Sequence, residues 1–115
     1  MHGQPRSIPL QLQPSVSQDR GVLDREMEVE GVRWASVQYE GGAARARWCD
    51  TPHSGFVISG RIRYDFEDGR RAVMASAGDA FVLPAQPRHR GSNPTFTTTR
   101  LFLIDATPTP ERGSN

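Results

Sequence analysis

The chain has one cysteine, and its 14 basic residues are all arginine, with no lysine in 115 residues. A lone Cys49 excludes an intramolecular disulfide and any paired-cysteine zinc pattern. No apolar run reaches the length of a membrane-spanning helix or a signal-peptide core, so a cytoplasmic protein of bacterial type is expected. Neither charge sign predominates. The 14 basic residues face 13 acidic ones for a net charge of +1, which offers no general attraction to nucleic acid or to an anionic membrane. No basic stripe with interleaved aromatics is present either, so neither partner is expected. The arginine bias, together with abundant Ala and Gly, reads as the codon usage of a GC-rich genome and carries no inference of phosphate binding. There is no phosphate-binding glycine loop and no nucleophile-elbow serine. Helix signals are almost absent.

What the chain does have is a series of short apolar runs divided by turn residues, the pattern of an all-β sandwich or barrel. A chain of this length can bury about 60–70% of its extended surface around one core. Residues 1–20, with Pro5, Pro9 and Pro14 among Gln and Ser, show no periodicity and read as a flexible arm that includes His2. Residues 107–115 are polar and turn-forming and read as a disordered tail, leaving 21–106 as the single domain. Strands are expected over 32–39, 43–49, 56–58, 61–67, 70–75, 80–83, 88–93 and 95–105. Over 61–67 the alternation is strict, with Ile62, Tyr64 and Phe66 on one face. Asp68-Gly69 is a hairpin signal. Leu101, Phe102, Leu103 and Ile104 are apolar on both faces, which fits a strand packed on both sides and leads to the expectation of a homodimer.

The most informative stretch is Gly78 to Asn93. Gly78-Asp79 is a tight-turn pair, 80–83 is a short apolar run, and Pro84 and Pro87 bracket a loop ahead of His89. The spacing Gly78, Pro84, His89, Asn93 resembles the second conserved motif of the cupin superfamily, with Gln86 where a second glycine is usual. The first cupin motif has a frame upstream, from Gly41 to Gly60. Its two histidine positions fall on Arg47 and Cys49, and its glutamate position falls on His53. The resemblance implies a small β-barrel of cupin type, a double-stranded β-helix or jelly roll. It does not transmit an activity, since the superfamily spans dioxygenases, isomerases, epimerases, lyases, sugar-sensing domains and storage proteins.

If 43–49 is a strand, Arg47 and Cys49 project to one face, which the cupin frame places inside the barrel with His53 and His89. Three uses of this set stay open. Cys49, His53 and His89 could ligate one divalent transition metal, with Zn, Fe, Ni and Cu all compatible with imidazole and thiolate and a position left open. Arg47 argues against this, because a unit charge about 5 Å from a divalent cation is repelled by about 6–7 kcal/mol at an effective dielectric of 20. Alternatively, in a metal-free pocket, Arg47 grips a carboxylate or phosphate while His53 or His89 moves a proton, suiting isomerisation, cyclisation or dehydration of a small organic acid. Cys49 as a nucleophile has no general base fixed beside it in sequence. The third use is none: a degenerate module that binds a ligand or only dimerises, with Cys49 and the histidines as core groups.

Trp34, Trp48 and Tyr64 could wall an aromatic substrate pocket, although large aromatics are more often core or interface material. Trp48 lies between Arg47 and Cys49 and is expected to point outward, and Arg88 and Arg90 to face away from His89. The expectation is a pocket for a small organic, anionic molecule, served by Arg47, His53 and His89 as catalytic groups. Isomerase, cyclase, lyase or dioxygenase chemistry and a non-catalytic ligand-binding module remain alternatives.

Overall fold

The computed structural model describes residues 3–106, so His2 and the expected tail over 107–115 lie outside the described residues. Its strands are β1 (Val16–Asp19), β2 (Val22–Val29), β3 (Val32–Tyr39), β4 (His53–Ser59), β5 (Arg61–Phe66), β6 (Val73–Ser76), β7 (Ala80–Leu83), β8 (His89–Ser92) and β9 (Thr99–Ala106). A 3₁₀ turn at Leu10–Leu12 precedes them. They form a six-stranded sheet ordered β1-β2-β3-β9-β4-β7 and a three-stranded sheet ordered β6-β5-β8, with antiparallel pairing throughout. The architecture is all-β, as expected, and jelly-roll-like. The two sheets do not close into one continuous hydrogen-bonded barrel.

The inner faces supply the core. On β3 the buried residues are Ala35, Val37 and Tyr39; on β5 they are Ile62, Tyr64 and Phe66; on β9 they are Leu101 and Leu103. The expected alternation of 61–67 therefore holds, with Arg61 and Arg63 exposed between the apolar positions. Strand β2 has no counterpart among the expected strands. Its inward positions run Val22, Asp24, Glu26, and the last two face a cavity, so polar residues occupy the face where apolar periodicity is sought. The β2–β3 hairpin turns on Glu30 (φ 52°) and Gly31 (φ 80°), a pair of positive φ values that matches the twist of the strands. Within the segment read as an arm, residues 16–19 instead pair with β2 as an edge strand.

The expected strand over 43–49 is absent. Only isolated bridges, Ala44 with Ser92 and Cys49 with His89, tie this segment to β8, and Ala46 and Arg47 lie in a bend. The physical reason is a half-buried charge cluster. Arg45, not Arg47, turns inward to Asp24 and Asp19, and Asp19 also accepts a hydrogen bond from the Ala46 N–H. The expected last strand begins later, at Thr99, because Asn93 holds the preceding loop. Its buried amide donates to the carbonyls of Tyr39, Glu40 and Thr97, and its oxygen accepts from Thr95.

Candidate metal and ligand site

Cys49 and His89 face each other across an isolated antiparallel bridge. The Cys49 N–H donates to the His89 carbonyl at 2.8 Å and the His89 N–H returns to the Cys49 carbonyl at 3.0 Å. The side chains of such a pair share one face. His53 opens β4, whose edge residues pair with β7 on one side and with β9 on the other. These elements bring three donors together, since the ligating atoms of Cys49, His53 and His89 all lie within 4.8 Å of one another.

Cys49 Sγ lies 3.8 Å from His53 Nε2 and accepts from the Thr51 N–H at 3.4 Å. Hydrogen bonding to His53 first, and then to His89, pulls the Cys49 thiol down to about 5 against a smaller opposing effect of burial. His89 is 3% exposed and its ring meets those of His53 and Tyr64 edge-on, at 5.1 and 5.8 Å. The other nitrogen of His53, Nδ1, is 3.2 Å from Asp105 Oδ1 but is not aligned as a hydrogen bond. Asp105 is held in turn by Arg33 Nη1 at 3.2 and 3.3 Å.

The donor set fits a metal. A thiol drawn toward its anion, two imidazoles within reach, and a buried His89 Nδ1 that makes no hydrogen bond among the described residues suit a thiolate–imidazole centre. Arg47 is an exposed bend residue, so solvent screens the repulsion expected from it.

The cluster opens into a cavity of about 870 Å³. Its wall includes Tyr64 and Leu103 near the cluster and, toward β1 and β2, the charge group of Asp19, Asp24, Arg45 and Tyr39. Arg45 binds Asp24 through two nitrogens, at 2.9 and 3.2 Å, and reaches Asp19 at 3.4 Å. Burial opposes the Arg45 charge, but the hydrogen bond to Asp24, with the nearby Tyr39 oxygen, holds it protonated. Burial raises the Tyr39 and Tyr64 hydroxyls above their ordinary value, keeping both as phenols at neutral pH.

No protein-family model matches the sequence and no curated protein matches it. Solved structures do. The polyketide cyclase RemF from Streptomyces resistomycificus superposes with a TM-score of 0.75 at 11% identity, over 94% of this chain and 83% of that one. A cupin domain from Bordetella pertussis Tohama I superposes at 0.64 with 14% identity, over 81% of this chain and 100% of that one. The chain has the cupin fold. An oxalate decarboxylase variant from Bacillus subtilis superposes at 0.75 with 18% identity; 98% of this chain is covered but only 33% of the decarboxylase.

Within the cupin fold, three of the four residues placed on motif positions converge and one does not. Cys49, His53 and His89 meet; Arg47 stands on the exposed side of the same cavity. Tyr64 lines the cavity, but Trp34 does not: it lies on the outer face of the six-stranded sheet with its ring 5.8 Å from Phe102. Even positions of β3 point outward, and the register opposite Ile104 puts Trp34 there. Trp48 and Arg90, expected to face away, both line the cavity: the bend at 46–47 redirects the chain at Trp48, and Arg90 lies over the Trp48 ring. Asp105, Arg33, Asp24 and Arg45 were not singled out from sequence. An acidic residue ending the apolar run of β9 was the available signal for Asp105.

Proposed function

We propose that this cupin-fold protein is a metal-dependent enzyme, of isomerase, cyclase, lyase or dioxygenase type, acting on a small organic anion. The observation that carries the proposal is the convergence of Cys49, His53 and His89 beside an 870 Å³ cavity. A divalent transition metal held by these residues would supply Lewis acidity or, for a redox-active ion, electron transfer at an open coordination position. The chain's own groups then divide the remaining work. Asp105 stands 3.2 Å behind His53 Nδ1 and its charge favours the ring turned with that nitrogen toward it, Tyr64 offers a phenolic hydroxyl as donor, and Leu103 contributes an apolar wall. The structural neighbours are chemically diverse: one is described as a polyketide cyclase, one as an oxalate decarboxylase and one, from Silicibacter pomeroyi, as a sugar phosphate isomerase.

A metal-free pocket is the second possibility, favoured by one observation. The Cys49–His53–Asp105 line accounts for the thiol and one imidazole by direct contact, with the geometry of a base beside a nucleophile. Elemental analysis of untagged protein, wild type beside a His53→Ala, His89→Ala double variant, separates the two. Near one equivalent of a transition metal, lost in the variant, supports the metal-dependent enzyme. No metal in either protein after reconstitution overturns it.

We also propose a homodimer built on the outer face of the six-stranded sheet. Phe56, Ile58 and Val82 are exposed there beside half-buried Phe102 and Ile104, an apolar surface out of keeping with open solvent. Sedimentation analysis of wild type against Phe56→Glu, Val82→Glu tests it: a dimer that becomes monomeric is expected, and a monomeric wild type overturns it.

A further inference from the structure

Four arginines line the cavity, and two of them are committed to carboxylates. Arg45 is bound by Asp24 and Asp19, and Arg33 by Asp105 and Glu26. Arg47 and Arg90 form no ion pair or hydrogen bond with another side chain among the described residues. They are not equivalent. Arg47 is exposed, whereas Arg90 is half-buried and its guanidinium carbon sits 4.1 Å above the centroid of the Trp48 ring. That contact limits the rotamers of Arg90 and is favourable in itself, while the guanidinium's N–H donors remain available.

The placement follows from the ladder. Cys49 and His89 are opposite one another, so in an antiparallel pair the residue before Cys49 and the residue after His89 are also opposite. Trp48 and Arg90 are those residues. Successive residues of a strand face opposite ways, so it is the shared cavity wall that puts an anion held by Arg90 in the same space as Cys49, His53 and His89.

We propose that Arg90, shelved on Trp48 and assisted by Arg47, is an anion subsite that takes the carboxylate of a small organic acid and directs the rest of the molecule toward Cys49, His53 and His89. This deepens the proposed function by naming the substrate class. It rests on the pocket's being a ligand site, not on the metal. A carboxylate suits the fork of a guanidinium. A dianion such as phosphate is disfavoured, because the wall carries five carboxylates, Asp19, Asp24, Glu26, Asp50 and Asp105, against four guanidiniums.

The chain contains two tryptophans, so Trp34→Phe leaves Trp48 as the sole indole reporter. In that background, the full chain as purified and after dialysis against a chelator is titrated with acetate, benzoate, benzamide and inorganic phosphate while Trp48 emission is followed. A saturable change with acetate or benzoate, none with benzamide, and weaker binding of phosphate are expected, with and without chelation. Arg90→Gln is expected to weaken carboxylate binding about tenfold or more. Arg90→Lys, which keeps the charge on a better-tolerated side chain, is expected to weaken it as well because the fork is lost. Equal binding of benzamide and benzoate, tighter binding of phosphate, no response to either carboxylate, or unchanged affinity in a folded Arg90→Gln each overturns the subsite. Failure of the metal centre would look different: no metal by elemental analysis, with carboxylate binding intact.

Discussion

Cys49 Sγ and His53 Nε2 lie 3.8 Å apart, and this contact, with a second one to His89, pulls the thiol from its ordinary value of 9.0 to about 5. A pKa depressed in the folded state means that the thiolate's contribution to stability is full above the unfolded value near 9 and is lost as the pH falls through 5. Replacing Cys49 with Ser is therefore expected to cost more stability at alkaline pH than at pH 5.

Reactivity follows the same titration. With metal removed by a chelator, alkylation of Cys49 by iodoacetamide is expected to rise with pH around a midpoint near 5, in place of the midpoint near 9 of an ordinary thiol. Rates measured by mass spectrometry between pH 4 and pH 10 decide it, and an ordinary midpoint would show that the histidines do not act on the sulfur.

Arg45 and Asp24 hold the irregular segment that carries Cys49 against β2. Asp24 is 7% exposed, so Arg45→Met leaves a buried carboxylate without its two-nitrogen partner, at a cost of about 3 kcal/mol. The double variant Arg45→Met, Asp24→Leu removes both charges and is expected to recover most of that loss. Urea melts of the three proteins check it. A single variant as stable as wild type would mean that Arg45 only lies along the cavity and does not anchor the segment.

The all-β class and the three converging side chains were legible because turn glycines, strand alternation and motif spacing are local signals. Ile62, Tyr64 and Phe66 fell on the inner face as their period of two requires. Asp24 and Arg45 hid what surrounds the site. Both are polar residues at inward positions, and a strand that lines a cavity shows charge where apolar periodicity is sought. Nothing near Arg47 in sequence reveals that Arg45 has an acceptor 21 residues away, and so the inward arginine was placed two positions late. Trp48 was misplaced because the alternation rule fails across the bend at 46–47, whereas Arg90 keeps the alternation of β8 and stacks on Trp48.

Gly60 and Gly69 share a positive φ, +84° and +80°, but not their surroundings. A Cβ on Gly60 would sit 2.3 Å from Thr99 Oγ1 and 2.8 Å from Thr99 Cα, whereas one on Gly69 would meet nothing within 4 Å. Thr99 cannot yield easily, because it is fully buried and its hydroxyl both donates to the Arg61 carbonyl and accepts from the Arg61 N–H. Gly69→Ala is expected to cost about 1 kcal/mol, the penalty of the left-handed backbone alone. Gly60→Ala should cost at least about 2 kcal/mol more, as overpacking adds to that penalty. Thermal denaturation of the pair isolates the contribution of the close approach, and equal losses would remove Thr99 as its cause.

Asp105 stands 3.2 Å behind His53 Nδ1 and is itself gripped by Arg33, so it can fix the His53 ring with Nε2 directed at Cys49. Asp105→Asn keeps the shape and removes the charge. If Asp105 positions the ring for a metal, Co²⁺ affinity should fall about 10- to 100-fold with one site still filled at saturation. The thiolate-to-cobalt absorption would then persist in the saturated variant, because Cys49 is untouched. If Asp105 serves only to tie β9 to Arg33 on β3, the melting temperature should fall while Co²⁺ affinity stays at the wild-type value. The two losses separate a positioning carboxylate from a structural one, since Arg33 keeps Glu26 as a second partner in either case.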